Sequence, residues 1–400
     1  MTGKILHTSD WHLGKKIFRR SRIGEQKSFL NWLVEIIVKE KIDIVIIAGD
    51  IFDTPSPPNS ALDLYFNFLE EVSLLKSCHI VIISGNHDSA NFIQAPAKIL
   101  KRHNIHIKTK FSKNLKDNII NLNINDSSIA IKCLPYFRSY ELYDFLEKDE
   151  VLDSTAVESI MKDFASTWPK ETKEESFKIM IGHHAFGDFS ATGSEHVINI
   201  MGLESLKLNW FQGQFDYIAL GHIHKTQKMS KEENIFYSGS PLPLRFSEKQ
   251  DKHCLLVNIS SPTKESVTKI KVPNFKDIIT IQGDDLSILE TLESTLNVLS
   301  SSNSTNAFFE VKLKLPGPNT ELTNRLYERI QDCGHELLSL VPEYENQEDF
   351  SDKPISINEM NILELFSIYY QEKYPENQDI PEPILKEFST LIEEIHLDEV

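Results

Sequence analysis

The chain has 400 residues, 40% of them apolar and 25% charged. That length supports a large buried core and favours two or three domains over one. The formal net charge of −17 would argue against a nucleic-acid partner, but residues 341–400 alone hold 16 Asp/Glu against 3 Lys/Arg, so the acidity belongs mainly to the tail and the body is nearly balanced.

The start, "MTGKILHTSD", has no basic stretch leading into an apolar run, and no apolar run approaches the ~20 residues of a membrane helix. The expectation is a soluble intracellular protein with no membrane partner. The four cysteines, Cys78, Cys133, Cys254 and Cys333, are far apart and suit buried free thiols in a reducing compartment.

In chain order, "KILHTSD" is a short apolar run ending in polar residues, and "FLNWLVEIIVKEK" carries Phe29, Leu33, Ile36 and Ile37 at helical spacing. "DIVIIAGD" is β-branched, "ALDLYFNFLEEVSLL" helical in period, "HIVIISGNHD" β-branched again, and a helix-like segment follows near 91–102. This alternation predicts an α/β fold with parallel pairing. "IINLNI" and "SIAIKCL" then read as a hairpin, 150–166 as a helix, and "FKIMIGHH" and "FDYIALGHIH" as buried strands. "NIFYSGSP", "KHCLLVNI" and "SVTKIKV" continue as strands. The expected body is a two-sheet sandwich flanked by helices over residues 1–272.

A small α+β domain is predicted over 273–342, with strands at "DIITI", "AFFEVKLKL" and "ELLSLV" and helices at 286–299 and 320–332. An acidic linker (343–356) and a helical pair (357–400) close the chain. Two amphipathic helices are too little to fold alone, which points to docking on a partner.

Five apolar runs end in residues that bind metals: Asp10 and His12; Asp50 and Asp53; Asn86, His87 and Asp88; His183 and His184; His222 and His224. In open α/β sheets ligands bind beyond the carboxyl ends of strands, so five such ends converge. A His/Asp/Asn set without thiolate points to manganese, iron or zinc at a hydrolytic site. There are too many candidate ligands for one ion, which implies two, and Asp50 has two oxygens to share between them. A pair of ions about 3.5–4 Å apart can grip a phosphoryl group.

These segments, with DxH, GDxxD, GNHD, GHH and GHxH in this order, resemble the metallophosphoesterase superfamily. "HTSDWHLG", "AGDIFDTPSPP", "GNHDS", "DYIALGHIHK" and "YSGSPLPLRFSE" are similar, more closely, to the SbcD family, the nuclease subunits of bacterial SbcC–SbcD complexes. The resemblance runs over roughly residues 4–248. It implies one ion held by Asp10, His12, Asp50 and His224, and another by Asp50, Asn86, His183 and His222. It gives His87 the protonation or stabilisation of the leaving oxygen. In "GHH" it assigns His183 as ligand and leaves His184 to orient it or to pack. Asp53 stands where eukaryotic and archaeal relatives often have histidine, so its part in catalysis stays open.

Gly239 and Ser240 of "GSPLP" resemble a loop near the family's site and are candidates to bind phosphate, or form a turn. Lys15, Lys16, Arg19, Arg20 and Arg22 follow the first motif and are candidates to grip DNA. The family likeness further implies two divalent ions, manganese first among them, and cleavage of DNA ends and hairpins in repair, recombination and replication. It implies ATP coupling through an SbcC-like ATPase docked on the C-terminal helices, since this chain has no G-x-x-x-x-G-K-[ST]. The helices near 60–75 and 91–102 resemble the family's homodimer surface, the small domain its capping domain, and the location implied is cytoplasmic, at the nucleoid. A cyclic-nucleotide phosphodiesterase or nucleotidase would share the metal motifs, and a non-catalytic scaffold is the reading from another class.

Overall fold

The run "IVIIA" at Ile44–Ala48 is buried along its whole length. Branched side chains suit a strand covered on both faces, which is the situation of a parallel strand at the centre of a layered fold. In the computed structural model of the chain, five strands of this kind end at one place: β1 (Lys4–Thr8), β2 (Ile44–Ala48), β3 (His79–Ile83), β4 (Phe177–His183) and β5 (Tyr217–Gly221). The structure describes residues 3–125, 127–147, 150–192, 205–259, 267–301 and 306–344, with Phe366, Tyr370, Ile380, Pro381 and Ile384.

Two six-stranded sheets carry them. The first runs in the order Val267–Lys271, His253–Asn258, β1, β2, β3, Ile105–Lys108. Its last four strands are mutually parallel and the first two antiparallel. The second runs Gln227–Lys228, Ile235–Tyr237, β5, β4, Ser127–Leu134, Ile119–Ile124, parallel at its centre and antiparallel at both edges.

Strand alternation divides the core into layers. Ile44, Ile46 and Ala48 of β2 face the other sheet and pack with Ile129, Ile131, Ile179 and Ile181. Val45 and Ile47 face outward onto the helices Ile23–Glu40 and Asn59–Ser73, through Phe29, Leu33, Phe68 and Leu69. The helix Ser154–Ser166 covers the far side of the second sheet with Val157, Met161 and Phe164. The arrangement is helix, sheet, sheet, helix, the predicted sandwich. Each fully buried Ile or Leu stabilises it by about 1.5–3 kcal/mol.

A three-stranded sheet follows, in the order Ile278–Asp284, Phe308–Leu315, Glu336–Tyr344. Its apolar face (Phe309, Val311, Leu313) packs on Leu292 and Leu296 of the helix Ile288–Ser301 and on Leu326 and Ile330 of the helix Thr320–Asp332.

Some elements differ from expectation. The segment near 91–102 is two short helices, Ala90–Gln94 and Ala97–Leu100, and a 3₁₀ turn, Lys101–His103. Pro96 stands between the first two, where it has no N–H to continue the ladder. The helix predicted from 150 begins at Ser154, because the Asp153 carboxylate accepts from the Thr155 and Ala156 amides as an N-cap. The last strand runs to Tyr344, two residues into the predicted linker. By contacts the chain divides into residues 1–343 and 344–400. The second unit, with the rest of the predicted linker and nearly all of the helical pair 357–400, lies outside the described residues. Among the described residues no helix is long and apolar enough to cross a membrane.

Candidate metal centre

The ends of the five strands turn sharply. Asp10, His12, Asp50 and His222 all have positive φ, at 53°, 45°, 49° and 95°. For residues with a Cβ this costs about 1–3 kcal/mol each, and it persists only where the surroundings fix it. Here hydrogen bonds fix it: Asp10 N donates to Gly49 O at 3.0 Å, His12 N to Asp50 O at 3.1 Å, and His222 N to Asp10 Oδ1 at 2.9 Å. Space is equally tight. A Cβ on Gly85 would lie 2.1 Å from Asp50 Oδ1, and one on Gly49 2.3 Å from His183 Nδ1. The glycines of "AGD" and "SGN" are therefore part of the site.

The side chains gather into two donor clusters. Asp10, His12 and His224 form one, and Asp50, His183 and His222 the other. In the first, His12 Nε2 and His224 Nε2 lie 3.3 Å apart, with Asp10 Oδ1 4.0 Å from His224 Nε2. In the second, Asn86 Oδ1 lies 2.9 Å from His222 Nδ1 and 3.2 Å from His183 Nε2. Asp50 Oδ2 sits between the clusters, 3.6 Å from His12 Nε2 and 3.4 Å from His183 Nε2. Most of these residues are buried; Asn86 is half-buried.

Neighbours orient the imidazoles. His183 Nδ1 donates to Ala48 O at 2.7 Å, which turns Nε2 toward Asn86 and Asp50. His12 Nδ1 lies 3.4 Å from Asp53 Oδ1, so its Nε2 faces the cluster. His87 Nδ1 donates to the Asp53 carbonyl at 2.9 Å, and its amide donates to Asp50 Oδ1 at 2.9 Å. His184 points the other way, as consecutive residues of a strand must. Its ring stacks on Tyr136, and its Nε2 lies 3.3 Å from Pro135 O and from Phe137 N.

Without cations the charges lean on one another. Burial pushes the Asp50 carboxyl up, but His183, His12 and His87 outweigh it and hold the group well below the usual carboxylate range. Burial lowers His183 while Asp50 and Asp10 raise it, for a result of about 9. Burial, with His183 alongside, pushes His222 down to about 3. Neutral imidazoles and an ionised carboxylate are ready to bind metal, and the proton on His183 is one a cation would displace. Nitrogen and oxygen donors without thiolate fit a divalent first-row ion.

Several predicted contacts lie elsewhere. Arg22 is buried at 2% exposure, paired with both oxygens of Glu25 and bonded to the Pro243 carbonyl, so it cannot reach a DNA phosphate. Ser240 is fully buried, and its N–H donates to His224 O at 3.2 Å. It braces the His224 loop and does not face a phosphate. Gly239 beside it is buried with φ +77, against the backbone of Thr226 and His224. Lys15 Nζ lies 3.0 Å from Asp53 Oδ1, and Arg20 pairs with Glu336 of the three-stranded sheet at 3.1 Å. Lys16 and Arg19 are exposed.

Three supports have no role in the sequence reading. Asp88 accepts from the amides of Gly85, Phe52 and Ile51 at 2.8, 3.0 and 3.2 Å, tying the second and third strand ends together. Glu248 and Lys252 form a buried pair at 2.5 Å behind His224, with Lys252 Nζ 3.2 Å from His224 O. Their i,i+4 spacing resembles a solvated helix pair, and only the fold puts them there.

Residues 3–226 match the profile of the calcineurin-like phosphoesterases, which covers more than half of the chain. The fold and the clustered donors define the chain as a metal-dependent hydrolase of that class. A second profile, described as the type 5 capsule protein repressor C-terminal domain, matches residues 274–374. The D subunit of nuclease SbcCD from Escherichia coli (strain K12) is 32% identical over 303 residues, covering 74% of each chain. Its namesake from Bacillus subtilis (strain 168) is 25% identical over 384 residues, covering 92% of this chain and 93% of its own. The chain belongs to this family of SbcCD nuclease subunits. A solved structure, TT1561 of Thermus thermophilus, covers 68% of this chain and 100% of its own, at 11% identity and a TM-score of 0.38.

Proposed function

We propose that the chain hydrolyses DNA phosphodiesters at a two-ion centre, and that manganese is the native metal. Asp10, His12, Asp50 and His224 would hold one ion, and Asp50, Asn86, His183 and His222 the other. The observation that carries this reading is the place of Asp50 Oδ2, within 3.6 Å of the nearest imidazole nitrogen of both clusters. The bound ions would supply the charge that grips the phosphate and lowers the pKa of an attacking water.

The chain's own residues do the rest. His87 acts as general acid: the Asp53 carbonyl accepts from Nδ1 and so fixes the ring, leaving Nε2 as the atom that passes a proton to the departing sugar oxygen. Asp53 positions both His12 and His87 and is itself neither ligand nor acid. The Glu248–Lys252 pair and Ser240 hold the His224 loop. Lys16 and Arg19 stand where they can meet the phosphate backbone, without base selectivity.

The names of the relatives support the further steps. The chain acts as an end-degrading exonuclease and a hairpin-opening endonuclease, coupled to ATP by an SbcC-like ATPase that binds residues 357–400. Residues 273–342 form a capping unit on the nuclease body 1–272. A homodimer forms through the helix Asn59–Ser73 and the Ala90–His103 segment, whose Phe66, Leu74 and Ile99 are exposed. The complex works in the cytoplasm, at the nucleoid.

The test is to purify the chain with and without its ATPase and assay hairpin and linear DNA with manganese, magnesium or zinc. Cleavage that needs a divalent ion and stops in chelator supports the reading. Chelator-resistant cleavage, or none with any ion, refutes it.

A further inference from the structure

Residues 16–21 form a two-stranded ribbon, Lys16–Ile17 against Arg20–Ser21, directly after the first metal motif. Its two-residue turn is Phe18–Arg19, with φ of 43° and 66°. Turns with two positive φ values favour Asn-Gly, because a side chain there is strained. This chain instead places a phenylalanine at the tip and leaves it 53% exposed. The ring sits 5.8 Å from Phe246 in a tilted arrangement. Strain combined with an exposed aromatic is an outlier that calls for a binding role.

A cavity of about 590 Å³ opens beside these rings, between the ribbon, the loop after the His224-bracing segment and the three-stranded sheet. The sheet contributes its polar face, Thr280, Gln282, Glu310 and Lys312, because Ile281, Val311 and Leu313 are turned to its helices. Ile17, Phe246 and Phe308 close the floor as a small apolar cluster. Four cations line the space, Lys16, Arg245, Lys249 and Lys312, against the single acid Glu310, which accepts from Thr280 Oγ1 at 3.1 Å. Among the described residues Lys16, Lys249 and Lys312 are in no ion pair.

Both walls spring from the metal centre. The ribbon follows His12 and Lys15, and Lys15 pairs with Asp53; the loop carries Glu248, whose Oε1 lies 4.0 Å from His224 Nδ1. Aromatic faces amid cations are the requirements of a strand whose bases are unstacked: the ring takes the base and the cations take its phosphates.

We infer that this cavity is a subsite for an unpaired nucleotide of the DNA substrate, stacked on Phe18 and held by Lys16, Lys249 and Lys312. The inference rests on the nuclease reading above and adds the point at which a single-stranded segment is told from a duplex. Phe18 is a specificity residue and stands apart from the metal donors.

The test uses the full chain without metal, a fluorescent oligo-dT strand and a blunt duplex of equal length. Phe18→Ala should weaken single-strand binding about tenfold and duplex binding less than about twofold, while Phe18→Trp retains affinity and its indole fluorescence is quenched by the strand. Lys312→Ala should weaken single-strand binding and flatten its dependence on salt. Wild-type affinity of Phe18→Ala for oligo-dT, or equal losses on strand and duplex, would overturn the subsite. Hydrolysis of bis(p-nitrophenyl) phosphate with manganese reads the metal centre alone and should be unchanged in Phe18→Ala. A wild-type chain that binds the strand through Phe18 yet cleaves no diester would support the subsite and overturn the nuclease reading.

Discussion

Gly85→Ala is a single added methyl that should disable the centre. The new Cβ would lie 2.1 Å from Asp50 Oδ1 and 2.4 Å from the Asp50 amide nitrogen. Real Cβ atoms essentially never approach within 3.0 Å, so a relief of about 0.9 Å is needed at the carboxylate. That carboxylate cannot swing freely. Its Oδ1 accepts the His87 amide, its Oδ2 faces His12 and His183, and the backbone carrying it is held to His12 and, through Asp88, to the Gly85 amide itself. Misplacing a reacting group by about 1 Å costs about 10²-fold in rate, and overpacking costs about 1–3 kcal/mol in stability. Gly85→Ala should therefore lose about 10²-fold in diester hydrolysis, bind manganese more weakly by calorimetry, and stay folded by circular dichroism. Gly24→Ala is the control: nothing lies within 4 Å of its Cβ, on the helix Ile23–Glu40, and the exchange should stabilise the chain by about 0.4–1 kcal/mol without touching activity. Full activity and full metal loading in Gly85→Ala would refute the reasoning.

Further outcomes follow from the same geometry. His222→Ala and His224→Ala should each lower bound manganese from two ions to one per chain, measured by elemental analysis after desalting; loss of both ions in each variant would show that the clusters do not fill separately. His87→Ala should keep both ions and lose at least about 10²-fold in diester hydrolysis, and undiminished turnover would remove its role as acid. Burial pushes the thiols of Cys78, Cys133 and Cys254 up to about 12, so at pH 8 they stay protonated and slow, whereas the half-buried Cys333 should react first with a thiol reagent. Four equally fast thiols in the native chain would contradict the packing.

The layered fold was legible because β-branched runs and helical periods alternate, and the centre because each run stops at a polar cluster. What was not legible is which way a polar residue turns. Arg22 and Lys16 look equivalent in "KKIFRRSR", yet Glu25 three residues on and the Pro243 carbonyl, 221 residues away, draw Arg22 inside. Ser240 reads as a phosphate donor until His224 O proves to be its acceptor. His183 and His184 were separable, since neighbours on a strand point to opposite faces. The break at Pro96 was written in the sequence, but helical periodicity carried across it outweighed it in the reading. The short spacing of His222 and His224 reads as one matched pair, whereas the turn after Gly221, with His222 at φ 95°, sends them to different clusters.

The placement of the donors has a mechanical consequence. Asp10, His12, Asp50 and Asn86 follow strands of the first sheet; His183, His222 and His224 end or follow strands of the second. Each cluster draws on both, so a cation held there would work as a rivet through the two halves of the sandwich, at the one edge where their apolar faces stop. Such a rivet resists opening by RT ln(1 + [L]/Kd), about 2.7 kcal/mol when free metal is 100-fold above Kd. The ions that serve the chemistry would thus also set the temperature at which the two sheets part.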